Sequence, residues 1–118
     1  MRTGVLIMAV LTLASSTWAS SSTEQRQLLA AVGPGHTIQL TRNGRKVSRL
    51  PVGRYTIVVR DRSTRDNFHL FAAGGNASVR KTGIRWVGRT TWRVQLARGT
   101  YRYSSDRKPL IGGVFKVA

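Results

Sequence analysis

The chemistry open to this chain is set by four acids, two histidines, sixteen arginines, four lysines and no cysteine in 118 residues. Without a thiol there are no disulfides, zinc–thiolate sites, iron–sulfur clusters, thiol catalysis or thiolate copper centres. The acids are Glu24, Asp61, Asp66 and Asp106. So few argue against a paired-carboxylate hydrolase or an acidic calcium cage. His36 follows a Gly-Pro-Gly turn and reads as a surface residue at a strand start. His69 lies in an aromatic run and reads as a hydrogen-bonded core or rim histidine, because two imidazoles with no third soft ligand make a poor metal site. There is no Gly-rich phosphate loop, nucleophile elbow or His-Glu-x-x-His motif, and nothing supports catalysis.

What remains is positive charge. The formal net charge is +16, which repels like molecules and attracts polyanions. Arginine also holds phosphate, sulfate or carboxylate in two-point contact, although a GC-rich genome would favour arginine codons with no selection for a partner. Trp86, Trp92, Tyr101 and Tyr103 interleave with Arg85, Arg89, Arg93 and Arg102 and suggest a base-stacking platform. Alternation points Trp92 away from Arg93, and both tyrosines away from Arg102. Core aromatics behind a solvated arginine face are the better reading.

The elements that would position these residues begin after an address segment. Arg2, the ten-residue apolar run Val5 to Ala14 and the small residues ending at Ala19 read as a secretory signal peptide over residues 1–19. Ten residues fall short of the roughly 20 that span a bilayer. Residues 20–32 read as an N-terminal leader, in which Glu24 to Val32 is either a short helix capped by Thr23 or a flexible tail. Residues 33–118 read as one domain.

From Thr37 the period becomes two. Asn43-Gly44 between alternating runs predicts a type I′ hairpin. Arg54 to Arg60 places Tyr55, Ile57 and Val59 on a core face and Arg54, Thr56, Val58 and Arg60 on a solvated one. Asn67 to Phe71 reads as a strand broken by residues 73–76, Gly83 to Trp86 as a brief extended piece, and Thr90 to Leu96 as a strand with Trp92, Val94 and Leu96 inward. Tyr101 with Tyr103, then Phe115 with Val117, complete the inward set. Asn76-Ala77-Ser78 is a glycosylation sequon in form only. No internal repeat is evident, and seven or more short strands read as an all-β sandwich or barrel.

Several stretches resemble the small secreted plastocyanin-like cupredoxins of bacteria. They are Val32-Gly33-Pro34-Gly35, Leu50-Pro51-Val52-Gly53-Arg54-Tyr55-Thr56-Ile57-Val58-Val59, Asp61-Arg62-Ser63 and Asn67-Phe68-His69-Leu70, followed by Gly88-Arg89-Thr90-Thr91-Trp92 and Gly99-Thr100-Tyr101-Arg102-Tyr103. The resemblance runs over residues 33–118. It implies a Greek-key cupredoxin-like β-sandwich of about seven to eight strands, with a copper ion for electron transfer held at one end by two histidines, a cysteine and usually a methionine.

This chain departs from that ligand set. Asp66 stands at the first histidine position, Ser105 at the cysteine and Lys108 near the second histidine. A protonated serine hydroxyl is a hard, weak ligand and an ammonium repels Cu²⁺, so the expectation is a degenerate copper site with no metal and no cofactor. An ion pair from Asp66 to Lys108 or Arg107 would bridge the vacated positions. Arg60, Arg62, Arg65, Arg107 and Lys108 lie near that end by family analogy and form the candidate anion-binding set.

The function expected is a secreted or periplasmic, non-enzymatic binding module for an anionic polymer, nucleic acid, lipid headgroup or acidic protein surface. The alternatives are a copper-binding electron-transfer cupredoxin with an atypical site, and an accessory protein whose charge is compositional drift.

Overall fold

The computed structural model describes residues 26–72, 74 and 76–118. The expected signal peptide, residues 1–19, and residues 20–25 of the leader lie outside the described residues. None of the described residues is helical, and ten strands form two five-stranded sheets. In chain order they are β1 (Gln27–Val32), β2 (Ile38–Arg42), β3 (Arg45–Lys46), β4 (Arg49–Leu50), β5 (Gly53–Asp61), β6 (His69–Ala72), β7 (Ala77–Lys81), β8 (Gly88–Leu96), β9 (Gly99–Ser104) and β10 (Gly112–Val117). One sheet has the order β3-β2-β1-β5-β8 and the other β4-β10-β9-β6-β7. Each is mixed, since β1 runs parallel to β5 and β4 parallel to β10.

The start of the chain corrects the helix expectation. Leu28, Ala30 and Val32 alternate with period two and are buried, and their Cα partners in β5 are Ile57, Val59 and Asp61. A six-residue segment is too short to hold a helix in water, whereas a strand between β2 and β5 satisfies its backbone on both sides. The sandwich therefore begins at Gln27, inside the segment read as leader.

The Asn43-Gly44 turn forms as expected, with positive φ at both residues (53° and 81°) joining β2 to β3. Gly83 to Trp86 is a turn rather than an extended piece, closed by the Trp86 N–H on the Gly83 carbonyl at 3.2 Å. Strand β7 carried no sequence signal because it is an edge strand with almost every residue exposed.

Val58 was expected on a solvated face and is only 6 % exposed. It lies mid-sheet, between Leu29 of β1 and Thr91 of β8, where flanking side chains cover the outer face.

The core joins the sheets through an aromatic chain. Trp92 meets Phe68 at 5.9 Å, Phe68 stacks on Tyr103 at 5.5 Å, Tyr103 meets Phe115 at 6.3 Å, and Phe115 stacks on Tyr101 at 5.3 Å. Trp92, Tyr101 and Tyr103 are buried, as alternation required, while Trp86 is half-buried on its turn.

Two strand entries use the same device, Leu-x-x-Gly-x-Tyr, at residues 50–55 and 96–101. Each leucine is buried, and each tyrosine hydroxyl donates to the carbonyl four residues earlier, Tyr55 to Pro51 at 2.7 Å and Tyr101 to Ala97 at 2.9 Å. Gly53 and Gly99 have φ of 155° and 152°, which side chains rarely adopt. No atom lies within 4 Å of a Cβ built at Gly99. Gly99→Ala therefore isolates backbone strain and is expected to cost on the order of 1–3 kcal/mol in urea unfolding, with Tyr101→Phe costing about 1 kcal/mol.

Candidate functional site

The site is built from the end of β5 and the loops beside it. Period two continues one step past Val59 and carries Asp61 inward, in line with Val32. Asp61 Oδ1 accepts the Ser63 N–H at 2.8 Å, while Oδ2 is buried with no hydrogen-bond partner. Ser63 Oγ in turn accepts the N–H groups of Arg65 and Asp66, both at 3.1 Å. This local bonding turns the chain so that Asp66 faces inward and Arg62 and Arg65 stay exposed.

Asp66 is fully buried. Its Oδ1 accepts the Ser105 hydroxyl at 2.9 Å, and its Oδ2 lies 2.7 Å from His36 Nδ1. Ser105 Oγ also receives the N–H of Arg107 at 3.1 Å and of Asn67 at 3.4 Å. One residue further on, the same two segments meet again. The Asp106 N–H donates to Asn67 Oδ1 at 2.8 Å, and Asn67 Nδ2 donates to Asp106 Oδ2 at 3.0 Å and to the Thr82 carbonyl at 2.8 Å. The dipeptides Asp66-Asn67 and Ser105-Asp106 are thus cross-linked at both positions.

Asp106 holds His69 Nδ1 at 2.7 Å, and His69 Nε2 lies 2.8 Å from Ser78 Oγ. The ring stacks on Phe71 with centroids 3.8 Å apart. His69 is the hydrogen-bonded rim histidine expected, and its partner Ser78 belongs to the sequon. His36 is surface-exposed as expected, with 43 % of its side chain accessible, but it is tied to Asp66. Sequence reasoning missed that link, because the two are 30 residues apart and a turn histidine carries no periodic signal.

The predicted ion pair is corrected. Asp66 takes His36 and Ser105 as its partners, one on each oxygen, and no salt bridge joins it to Lys108 or Arg107. Lys108 is exposed and acts on Asp66 only through its charge. Bringing a long ammonium to a fully buried carboxylate would strip its hydration, whereas a hydroxyl and an imidazole fit at little cost.

Of the five candidate anion-binding residues, Arg62 and Arg65 line one hollow of about 290 Å³ together with His36, Pro34 and Ser63. Arg107 and Lys108 follow Ser105 in the β9–β10 loop and are exposed at the same end. Arg60 does not join them, since it lies on the outer sheet face opposite Arg89.

Burial would raise the Asp66 carboxyl, but the hydrogen bonds from His36 and Ser105, with the charges of His36 and Lys108, outweigh it and hold it below the ordinary value. Asp106 is likewise raised by burial and lowered, on balance, by His69, Asn67 and the charge of Lys81. Asp61 goes the other way, pushed up by burial against its Ser63 bond, with Asp66 adding repulsion.

As chemistry, Ser105 donates to the carboxylate and not to an imidazole, so no base activates it as a nucleophile. As a copper site, the positions offer a hydroxyl and a carboxylate whose two oxygens are both engaged, with no thiolate anywhere in the chain. This donor set does not fit a type 1 copper ion.

The shape can now be set beside solved structures. The copper protein rusticyanin matches with a TM-score of 0.62 at 15 % identity, over 78 % of this chain and 76 % of that one. Reduced rusticyanin matches at 0.61 and 15 % identity, over 89 % and 97 %. Rusticyanin from Thiobacillus ferrooxidans matches at 0.57 and 16 % identity, over 89 % and 95 %. This chain has a cupredoxin fold. No protein-family model and no curated protein sequence matches it. The cupredoxin-like sandwich has ten described strands rather than the expected seven to eight, because β3 and β4 are two-residue bridges and β7 is a polar edge.

The opposite pKa directions give opposite pH dependences. A carboxyl held low stabilises the fold above its ordinary value of about 3.9, and that stability is lost as pH falls through the lowered value. A carboxyl pushed up stabilises only below about 3.9, and that stability is lost as pH rises through the raised value. At neutral pH Asp66→Asn should therefore lower the urea midpoint and Asp61→Asn should raise it. Both differences should shrink below the ordinary carboxyl value, and urea unfolding at the two pH values checks both signs.

Proposed function

We propose that this chain is a secreted, non-enzymatic binding module on a cupredoxin fold, and that the basic rim around its Asp66–Ser105 end receives an anionic partner. The observation that carries the reading is the junction itself. Asp66 and Ser105, at the positions where the resembling family holds copper, are hydrogen-bonded to each other and fully buried. With the interior of that end occupied, what faces outward is Arg62, Arg65, Arg107 and Lys108, with half-exposed His36 beside them.

Catalysis is disfavoured because Ser105 is turned toward a carboxylate and His69 is held between Asp106 and Ser78. Electron transfer through copper is disfavoured by the donor set. An anionic polymer, lipid headgroup or acidic protein face would each be recognised by the same exposed cations, with affinity that falls steeply as salt rises.

Long-chain polyphosphate serves as the probe. Exchanging Arg62, Arg65, Arg107 and Lys108 for Gln should weaken its binding at least tenfold more than exchanging the four exposed cations Arg45, Lys46, Arg80 and Lys81 of β3 and β7. The rim variant should also flatten the dependence of log Kd on log salt by a slope of up to about 3, given roughly 0.7–0.9 per cation lost. Equal per-charge losses from the two variants would contradict the reading.

A further inference from the structure

A hollow of about 540 Å³, larger than the one at the rim, lies at the other end of β5, where β1, β5 and β8 meet. Three arginines from three segments line it: Arg26 just before β1, Arg54 in β5 and Arg93 in β8. Register sets Arg54 and Arg93 diagonally on the outer face, because Arg54 is the Cα partner of Gln95 and Arg93 that of Thr56, while Arg26, whose carbonyl accepts the Thr56 N–H at 3.0 Å, comes from the adjoining end of β1 and leans over Tyr55. Arg54 and Arg62 are eight residues apart along extended chain, roughly 26 Å at 3.3 Å per residue, so this hollow is separate from the rim.

The guanidiniums are partly pre-set. Arg54 Nε donates to Gln95 Oε1 at 3.3 Å, and the Arg26 guanidinium lies 5.9 Å above the Tyr55 ring. Gly53 leaves the space for it, since a Cβ there would meet Arg26 Nη1. No described carboxylate forms a salt bridge to any of the three; both described salt bridges are histidine–aspartate pairs at the opposite end. Thr56 and Gln95 complete the lining as uncharged polar groups, with Tyr55 and Val94 nearly buried beneath. Three positive charges around one hollow repel one another, and an oxyanion accepting two-point contacts would relieve that repulsion.

The geometry points to a second, separate binding site: Arg26, Arg54 and Arg93 hold a phosphate or sulfate group, free or carried on an organic molecule.

Nitrogen-15 NMR titration of the purified protein with inorganic phosphate and with phenyl phosphate tests it. Saturable one-to-one shifts are expected at the Nε–H signals of Arg26, Arg54 and Arg93 and at the amides of Thr56 and Gln95. Tighter binding of phenyl phosphate identifies an ester as the ligand, and equal affinity identifies the free anion. Arg93→Gln should weaken binding about tenfold or more, with Arg93→Lys intermediate, because it keeps charge but not the two-point geometry. The Arg45→Gln/Lys46→Gln variant, exposed on β3 and outside both hollows, should bind as the parent does. Unsaturable shifts over all exposed arginines, or an affinity unchanged by Arg93→Gln, would overturn the site. Saturable shifts confined to Arg62 and Arg65 would also overturn it, while leaving the rim reading intact.

Discussion

A single buried carboxylate organises one end of this molecule. Asp66 is withdrawn from water between the turn that carries His36 and the segment that carries Ser105, and both of its oxygens are engaged. A buried charge left with one partner missing is costly, so the three segments must assemble together. The neighbouring exchange between Asn67 and Asp106 repeats the cross-link and extends it through His69 to Ser78 on the edge strand β7. A hydrogen-bonded junction thereby does at this end what a metal ion does in a copper protein, which is to fix loops that carry no strand pairing of their own.

The same acids explain the character of the surface. Asp61, Asp66 and Asp106 all enter hydrogen-bond networks at one end, and the salt bridges of Asp66 and Asp106 are to histidines. Arg60 and Arg89 even face each other across β5 and β8, an arrangement that costs stability in isolation. A chain of net charge +16 with Asp61 and Asp66 buried projects a field that attracts polyanions from every side. Position, rather than charge alone, must then give specificity, and two arginine-lined hollows lie at opposite ends of β5.

Much of the fold was legible where local physics decides. The Asn43-Gly44 turn, the alternation of β5 and β8 and the inward tyrosines of β9 need no partner to be recognised. Residues 27–32 were ambiguous because an apolar six-residue run suits either a helix or a strand, and only pairing with β2 and β5 selects the strand. The polar edge strand β7 gave no pattern. At the site, family resemblance put Asp66 and Ser105 at ligand positions but led to an ion pair of Asp66 with Lys108 or Arg107, and the hydrogen bond to Ser105 was not expected. Their link to His36 spans 30 residues and depends on how the Gly33-Pro34-Gly35 turn is aimed, which no periodicity encodes. Asp61 had a signal that went unused, since one more step of the β5 alternation takes it inside.

The central claim is that the Asp66–Ser105 contact closes the positions where copper would be held, leaving a donor set that cannot grip it. Metal analysis of the protein purified from its host, followed by Cu²⁺ titration watched in the visible spectrum, tests this directly. The account predicts no stoichiometric copper and no intense blue band, with any added ion bound weakly and without saturation. One equivalent of tightly held copper, lost on Asp66→Ala, would contradict it.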